Sequence, residues 1–148
     1  MSTSAIDFFS IGEKEEIKQA IFQAELNTSG EIRVHIENIC KGDVLDRAAY
    51  IFKHLRMNKT RLRNGVLIYL SVKNRQFAII GDKGIHTVVP ENFWDQIKED
   101  VIRDFREGKF KEGLIRAISE TGTHLKKHFP YKKDDVNELP DDISFGKQ

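Results

Sequence analysis

Residues 65–72 read Gly-Val-Leu-Ile-Tyr-Leu-Ser-Val, a run in which nearly every side chain is apolar. A run of this kind is typical of a central strand that is covered on both faces. The next three residues, Lys-Asn-Arg at positions 73–75, indicate a tight turn, because asparagine tolerates a positive φ angle. Residues 76–80, Gln-Phe-Ala-Ile-Ile, are largely apolar again, so the two runs predict a β-hairpin.

Before this hairpin, the sequence predicts one more strand and two helices. Residues 31–39 begin with alternating apolar and polar side chains, which indicates a strand with one wetter face. Ser10 and Glu13 fit a capping box at the start of a helix over residues 10–27. A second helix, capped by an aspartate, is predicted over residues 43–57.

Two amphipathic helices follow the hairpin, over residues 90–105 and residues 109–128, and Pro130 ends the second. The predicted element order is therefore α-β-α-β-β-α-α. Because a helix joins the first two strands, they should be parallel with a right-handed crossover, and the hairpin adds an antiparallel third strand. The predicted fold class is α/β, a three-layer α/β/α sandwich with a small mixed sheet.

Length and composition indicate one domain without nucleic-acid or membrane partners. The chain has 148 residues, with 24 basic and 23 acidic side chains and a formal charge of +1. We interpret residues 1–130 as the folded domain and residues 131–148 as a flexible acidic C-terminal tail that adds nothing to the core. The sequence shows no secretory signal pattern and no apolar window near the ~18 residues of a membrane span, so we expect a cytoplasmic location.

Three oxygen-bearing side chains are expected at one end of the predicted sheet. Glu31 begins the first strand, Asn64 immediately precedes the second, and Asp82 follows the third, which runs the other way. Their side chains suit Ca²⁺ or Mg²⁺, which prefer oxygen ligands. Asp104, at the end of the third helix, would join this metal site if that helix end returned to the same end of the sheet.

Plainer explanations of these residues remain open. Aspartate and asparagine beside glycine are common at strand ends for conformational reasons alone, and Asp104 is explained more simply as part of a solvated helix end. The five histidines show no zinc-type spacing with Cys40. No nucleophile elbow, phosphate-binding loop or dinucleotide fingerprint is present, so no catalytic residue is identified.

Four segments resemble the TPM domain, a family found in thylakoid-lumen photosystem-repair proteins and in many bacterial proteins. In order, they are residues 28–34 (TSGEIRV), 64–68 (NGVLI), 75–85 (RQFAIIGDKGI) and 105–114 (FREGKFKEGL). The resemblance spans about residues 10–128. It implies an α/β/α sandwich, a divalent metal, most often Ca²⁺, in an acidic groove, and an acid phosphatase activity claimed for some plant members.

The resemblance can be carried over only at some positions. Asn64, Gly81 and Gly84 match the family motif, whereas Glu31 and Asp82 occupy variable positions, so their ligand roles rest on the predicted geometry of the sheet. Most members carry a signal peptide and often a membrane anchor. This chain shows neither and resembles a shorter cytoplasmic branch of the family.

Three functional hypotheses follow. The first is a domain that binds Ca²⁺ or Mg²⁺ and acts as a metal-dependent phosphatase on a phosphorylated substrate, with water as the nucleophile. The second is a non-catalytic protein-interaction module whose metal, if any, is structural. The third is a structural domain without an ion. Metal binding is the better supported part of the first hypothesis, and catalysis is the weaker part.

Overall fold

The computed structural model describes residues 4–90, 92–131 and 143–146, which form a mixed α/β fold with five α-helices and a four-stranded sheet. In chain order the elements are α1 (Ile11–Glu25), β1 (Glu31–Glu37), α2 (Val44–His54), a 3₁₀ turn (Met57–Lys59), β2 (Gly65–Ser71), β3 (Gln76–Gly81), α3 (Lys83–His86), α4 (Asp95–Arg106), α5 (Phe110–His128) and β4 (Ile143–Phe145). None of these helices is both long and apolar enough to cross a lipid bilayer.

The sheet has the strand order β3-β2-β1-β4. Strands β1 and β2 are parallel, in a register that runs from Glu31 opposite Gly65 to Glu37 opposite Ser71. Strand β3 returns antiparallel to β2. The predicted fold class, the parallel pair and the hairpin are therefore confirmed. We call the end where β1 and β2 begin the amino end of the sheet, and the other the carboxyl end.

The two faces of the sheet are covered unequally. On one face, helices α1, α4 and α5 pack on the even-numbered residues of β1 and β2 in a large apolar cluster. On the other face, α2 packs in a smaller cluster over β2 and β3, which includes Leu67, Tyr69 and Ala78. No residue of β1 belongs to this second cluster. Helix α2 therefore does not cover the polar face of β1. The side chains on that face, Arg33, His35 and Glu37, lie beside the helix.

The C-terminal segment departs from the prediction. We predicted a flexible acidic tail over residues 131–148, and this is wrong for Ile143–Phe145, which forms a strand parallel to β1. Ile143 is only 6% exposed and belongs to the large cluster, so the segment does contribute to the core. The physical reason is that β1 would otherwise present an unpaired strand edge. The acidic residues of the predicted tail lie outside the described residues.

Two smaller differences concern the segment after β3. The first is the short helix α3, for which no element was predicted, and the Asp82 carboxylate caps it by accepting a hydrogen bond of 2.7 Å from the Lys83 backbone N–H. The next helix begins at Asp95, later than predicted, after a turn that ends at Trp94.

Gly84 gives a stability prediction, because its backbone N–H donates to the Arg63 carbonyl at 2.8 Å. A Cβ atom at this position would lie 2.3 Å from the Leu62 carbonyl oxygen and 2.6 Å from that of Arg63. We therefore expect Gly84→Ala to lower the free energy of unfolding by about 1–3 kcal/mol, measured by urea denaturation. Gly12→Ala is the control: its Cβ would meet only the Ser10 hydroxyl at 4.0 Å. An equal loss in both variants would contradict this explanation.

Candidate functional site

The amino end of the sheet brings Glu31, Asn64 and Asp82 together, as their sequence positions predicted. The Glu31 backbone N–H donates to the Asn64 carbonyl at 3.3 Å, and the Asp82 N–H donates to the Gly65 carbonyl at 2.9 Å. All three residues are at most 5% exposed. Their role as metal ligands stays a prediction.

The Asp82 carboxylate is already engaged by protein groups. Arg63 Nε donates to Oδ2 at 2.9 Å and Nη2 donates to Oδ1 at 3.0 Å. The Asn64 side-chain amide donates to Ser29 Oγ at 3.4 Å. Asp82 therefore serves as a helix cap and as half of a two-bond arginine pair, and a cation would have to displace Arg63.

Asp104 is not brought to the amino end. Its Oδ2 accepts a hydrogen bond of 2.7 Å from Arg116 Nε, and its neighbour Phe105 packs 5.3 Å from the ring of Phe77, near the start of β3. That position is close to the hairpin turn, at the carboxyl end of the sheet. Within residues 4–90, 92–131 and 143–146, no group of three or more His, Cys, Asp or Glu side chains is placed to hold a metal ion. Asp104 therefore lies at the opposite end of the sheet from Glu31, Asn64 and Asp82, so the four predicted ligands do not form one cluster.

A cleft of about 500 Å³ lies at the carboxyl end, between helix α2 and strand β4. Its floor includes His35, Glu37 and Ser144, and a wall is formed by one side of α2, through Arg47, Tyr50, Ile51 and His54, and by Leu55 directly after the helix. In open α/β sheets, ligands bind at the carboxyl ends of the parallel strands. The cleft occupies that place, on the half of the face that α2 leaves uncovered.

Strand pairing explains the polar floor of the cleft. His35 and Glu37 alternate with apolar residues of β1, so both point to the α2 side. Ser144 of β4 pairs directly with His35 across the two parallel strands. The register of β4 against β1 therefore determines that the Ser144 hydroxyl lies beside the His35 imidazole.

The buried carboxylate of Glu37 is held by two side chains. Arg47 Nε donates to Oε2 and Nη2 donates to Oε1, both at 2.8 Å, and the Tyr69 hydroxyl also donates to Oε2. Burial opposes ionisation, but these hydrogen bonds hold the pKa of Glu37 below its usual value. The pKa of Arg47 is raised by its bonds to Glu37, and that of Tyr69 is raised by burial and by Glu37. The ion pair therefore persists at neutral pH with a fixed geometry.

His35 links this ion pair to Ser144. Its Nδ1 lies 2.8 Å from Ser144 Oγ, and its Nε2 lies 3.4 Å from Glu37 Oε1. The imidazole stacks on the ring of Tyr69, with the centroids 6.0 Å apart. Burial lowers the pKa of His35 below its usual 6.5, and the attraction of Glu37 only partly opposes this effect. The imidazole is therefore neutral at pH 7.

Sequence reasoning did not find this cleft. The alternation in β1 had marked His35 and Glu37 as residues of a wetter face, which was the available signal. Arg47 lies within a helix and Ser144 within the segment interpreted as a tail. Neither carries a motif that would connect it to β1 before the fold is known.

The depressed pKa of His35 gives a pH prediction. Below pH 6.5 the unfolded chain binds a proton that the folded imidazole resists, so the free energy of unfolding should fall as the pH drops from 7.5 to 5.5. His35→Gln keeps a polar side chain but removes this titration, so its loss of stability over the same interval should be smaller. Urea denaturation at each pH measures the difference. A slope in His35→Gln equal to that of the native chain would contradict the assignment.

Comparisons with known proteins agree with the architecture. The family model of the TPM domain matches residues 3–124, so strand β4 lies beyond the matched region. The NMR structure of the BA42 protein from the psychrophilic bacterium Bizionia argentinensis is 48% identical and covers 95% of this chain and 97% of its own, with a TM-score of 0.89.

A second structure is similar in fold alone. The N-terminal domain of a P. gingivalis protein, solved by NMR, is 19% identical and covers 82% of this chain and 78% of its own, with a TM-score of 0.68. No curated protein matches the chain. Because the family model covers most of its length, the chain belongs to the TPM domain family.

Proposed function

We propose that this TPM domain is a binding domain whose ligand, a small molecule with a carboxylate or phosphate group, occupies the cleft at the carboxyl end of the sheet. The observation that carries the proposal is the fixed guanidinium of Arg47, which lines the cleft and keeps 34% of its side chain exposed. The proposal concerns binding and assigns no metal to the cleft.

Arg47 is held in place before any ligand arrives. Two bonds to Glu37 use Nε and Nη2, and the guanidinium carbon lies 5.3 Å from the ring centroid of Tyr50. A guanidinium whose rotamer is already fixed loses little conformational entropy on binding an oxyanion, and its planar fork matches carboxylate and phosphate. Nη1 is not part of the ion pair with Glu37.

The charge and shape of the cleft favour an anion with an apolar body. Among the described residues, two cations, Lys41 and Arg47, and one carboxylate, that of Glu37, line the cleft. Ile39 and Tyr50 are 46% and 59% exposed there, which leaves apolar surface for a ligand to cover.

Benzoate and phenyl phosphate are suitable ligands for a titration followed by backbone amide NMR shifts. We expect saturable shifts around His35, Arg47 and Ser144, and at least about tenfold weaker binding in Arg47→Lys, because lysine keeps the charge and loses the fork. Arg63→Lys is the matched control, since it alters an equivalent arginine–carboxylate pair at the other end of the sheet. Shifts confined to other surfaces, or equal weakening in both variants, would refute the proposal.

A metal-dependent phosphatase is the second candidate. Its support is the convergence of Glu31, Asn64 and Asp82 at the amino end, together with the family resemblance. The ion pair with Arg63 opposes it, since both Asp82 oxygens are in use.

The ion pair between Arg63 and Asp82 makes the second candidate testable. Arg63→Ala would release the Asp82 carboxylate, so any Ca²⁺ or Mg²⁺ affinity at the amino end should increase, and Asp82→Asn should abolish it. The amide shifts of residues 30–31 and 81–84 measure this binding, and p-nitrophenyl phosphate turnover measures catalysis. If millimolar Ca²⁺ or Mg²⁺ changes no amide shift in either the native chain or Arg63→Ala, this candidate function fails.

A further inference from the structure

The floor of the cleft contains a continuous series of three polar side chains. Ser144 Oγ lies 2.8 Å from His35 Nδ1, and His35 Nε2 lies 3.4 Å from Glu37 Oε1. A hydroxyl, an imidazole and a carboxylate in contact in this order are the arrangement that activates a serine nucleophile. The order is defined by contacts between residues of two strands, and no sequence motif encodes it.

We infer that Ser144 is a nucleophile activated by His35, and that the cleft hydrolyses small carboxylic esters. The inference rests on the proposed function, because the carboxylate released by hydrolysis is the kind of ligand the cleft is proposed to bind. It requires no metal.

The surroundings of His35 suit a general base. The imidazole is 4% exposed, its ring is stacked on Tyr69, and both ring nitrogens face a polar partner. In the tautomer that carries its proton on Nε2, the imidazole donates to Glu37 and the lone pair of Nδ1 faces the Ser144 hydroxyl. Burial keeps the imidazole neutral at pH 7, so it can accept a proton.

The Ser144 hydroxyl has two acceptors within reach. One is His35 Nδ1 at 2.8 Å, and the other is the Val34 carbonyl at 3.3 Å. The shorter contact favours the imidazole. Other hydrogen-bonded serine and threonine hydroxyls in the described residues meet backbone, amide or carboxylate groups, as Ser71 meets the Asn74 amide oxygen. Ser144 thus differs from them in its partner.

The reaction is balanced with these groups and water alone. Ser144 Oγ attacks the ester carbonyl carbon, its proton passes to His35 Nδ1, and the alcohol leaves with that proton as the C–O bond breaks. Water then attacks the acyl-serine, gives a proton to His35, and releases the carboxylic acid while Ser144 recovers its hydrogen. Glu37 stabilises the transient imidazolium, and the positive charge of Arg47 favours the developing oxyanion.

Labelling with diisopropyl fluorophosphate, located by tandem mass spectrometry, tests the nucleophile directly. We expect one modification, at Ser144, and no modification there in Ser144→Ala. His35→Gln should label at least about a hundredfold more slowly, since it lacks the base. Ser119→Ala, which removes an exposed hydroxyl of α5, should label like the native chain.

Turnover of p-nitrophenyl acetate supplies the second readout, with a pH profile that reports the free imidazole. If benzoate still changes the backbone amide shifts of the cleft in Ser144→Ala, the cleft is intact and only the nucleophile is lost. Absence of label on Ser144, or labelling unchanged in His35→Gln, overturns the inference. Arg47-dependent benzoate binding without label would overturn this inference alone, whereas label without benzoate binding would overturn the proposed function alone.

Discussion

Strand β1 is paired on both of its sides, with β2 and with β4, and its two faces meet different surroundings. Its even-numbered residues belong to the apolar cluster under three helices, whereas its odd-numbered residues are polar and lie beside α2. A shift of one residue in register would exchange these two sets. The core and the cleft therefore depend on the same strand register.

The cost of burying Glu37 explains the composition of the cleft. A carboxylate that is 4% exposed is strongly disfavoured unless it is paired and fully hydrogen-bonded. Arg47, Tyr69 and His35 together supply contacts to both of its oxygens. These contacts in turn fix the guanidinium and the imidazole, so the stabilisation of one buried charge also orients the groups that line the cleft.

The sequence alone predicted the order of the helices and strands from α1 to β3, the parallel pair and the hairpin, because these depend on local periodicity and on the residues of the turn at positions 73–75. It also placed Glu31 and Asp82 at a common end of the sheet, since strand direction follows from connectivity. It could not predict that Arg63 binds Asp82, because that contact depends on an arginine rotamer in a loop. Nor could it find β4, whose three residues are too few for a periodic signal.

The incomplete cover by α2 bears on how members of this fold can diverge. Lys41, Tyr50 and His54 line the cleft, yet none belongs to either apolar cluster. Substitution at these positions changes the chemistry offered to a ligand while most of the buried apolar area stays intact. Ligand preference can thus drift among descendants of one ancestor without a matching loss of foldability.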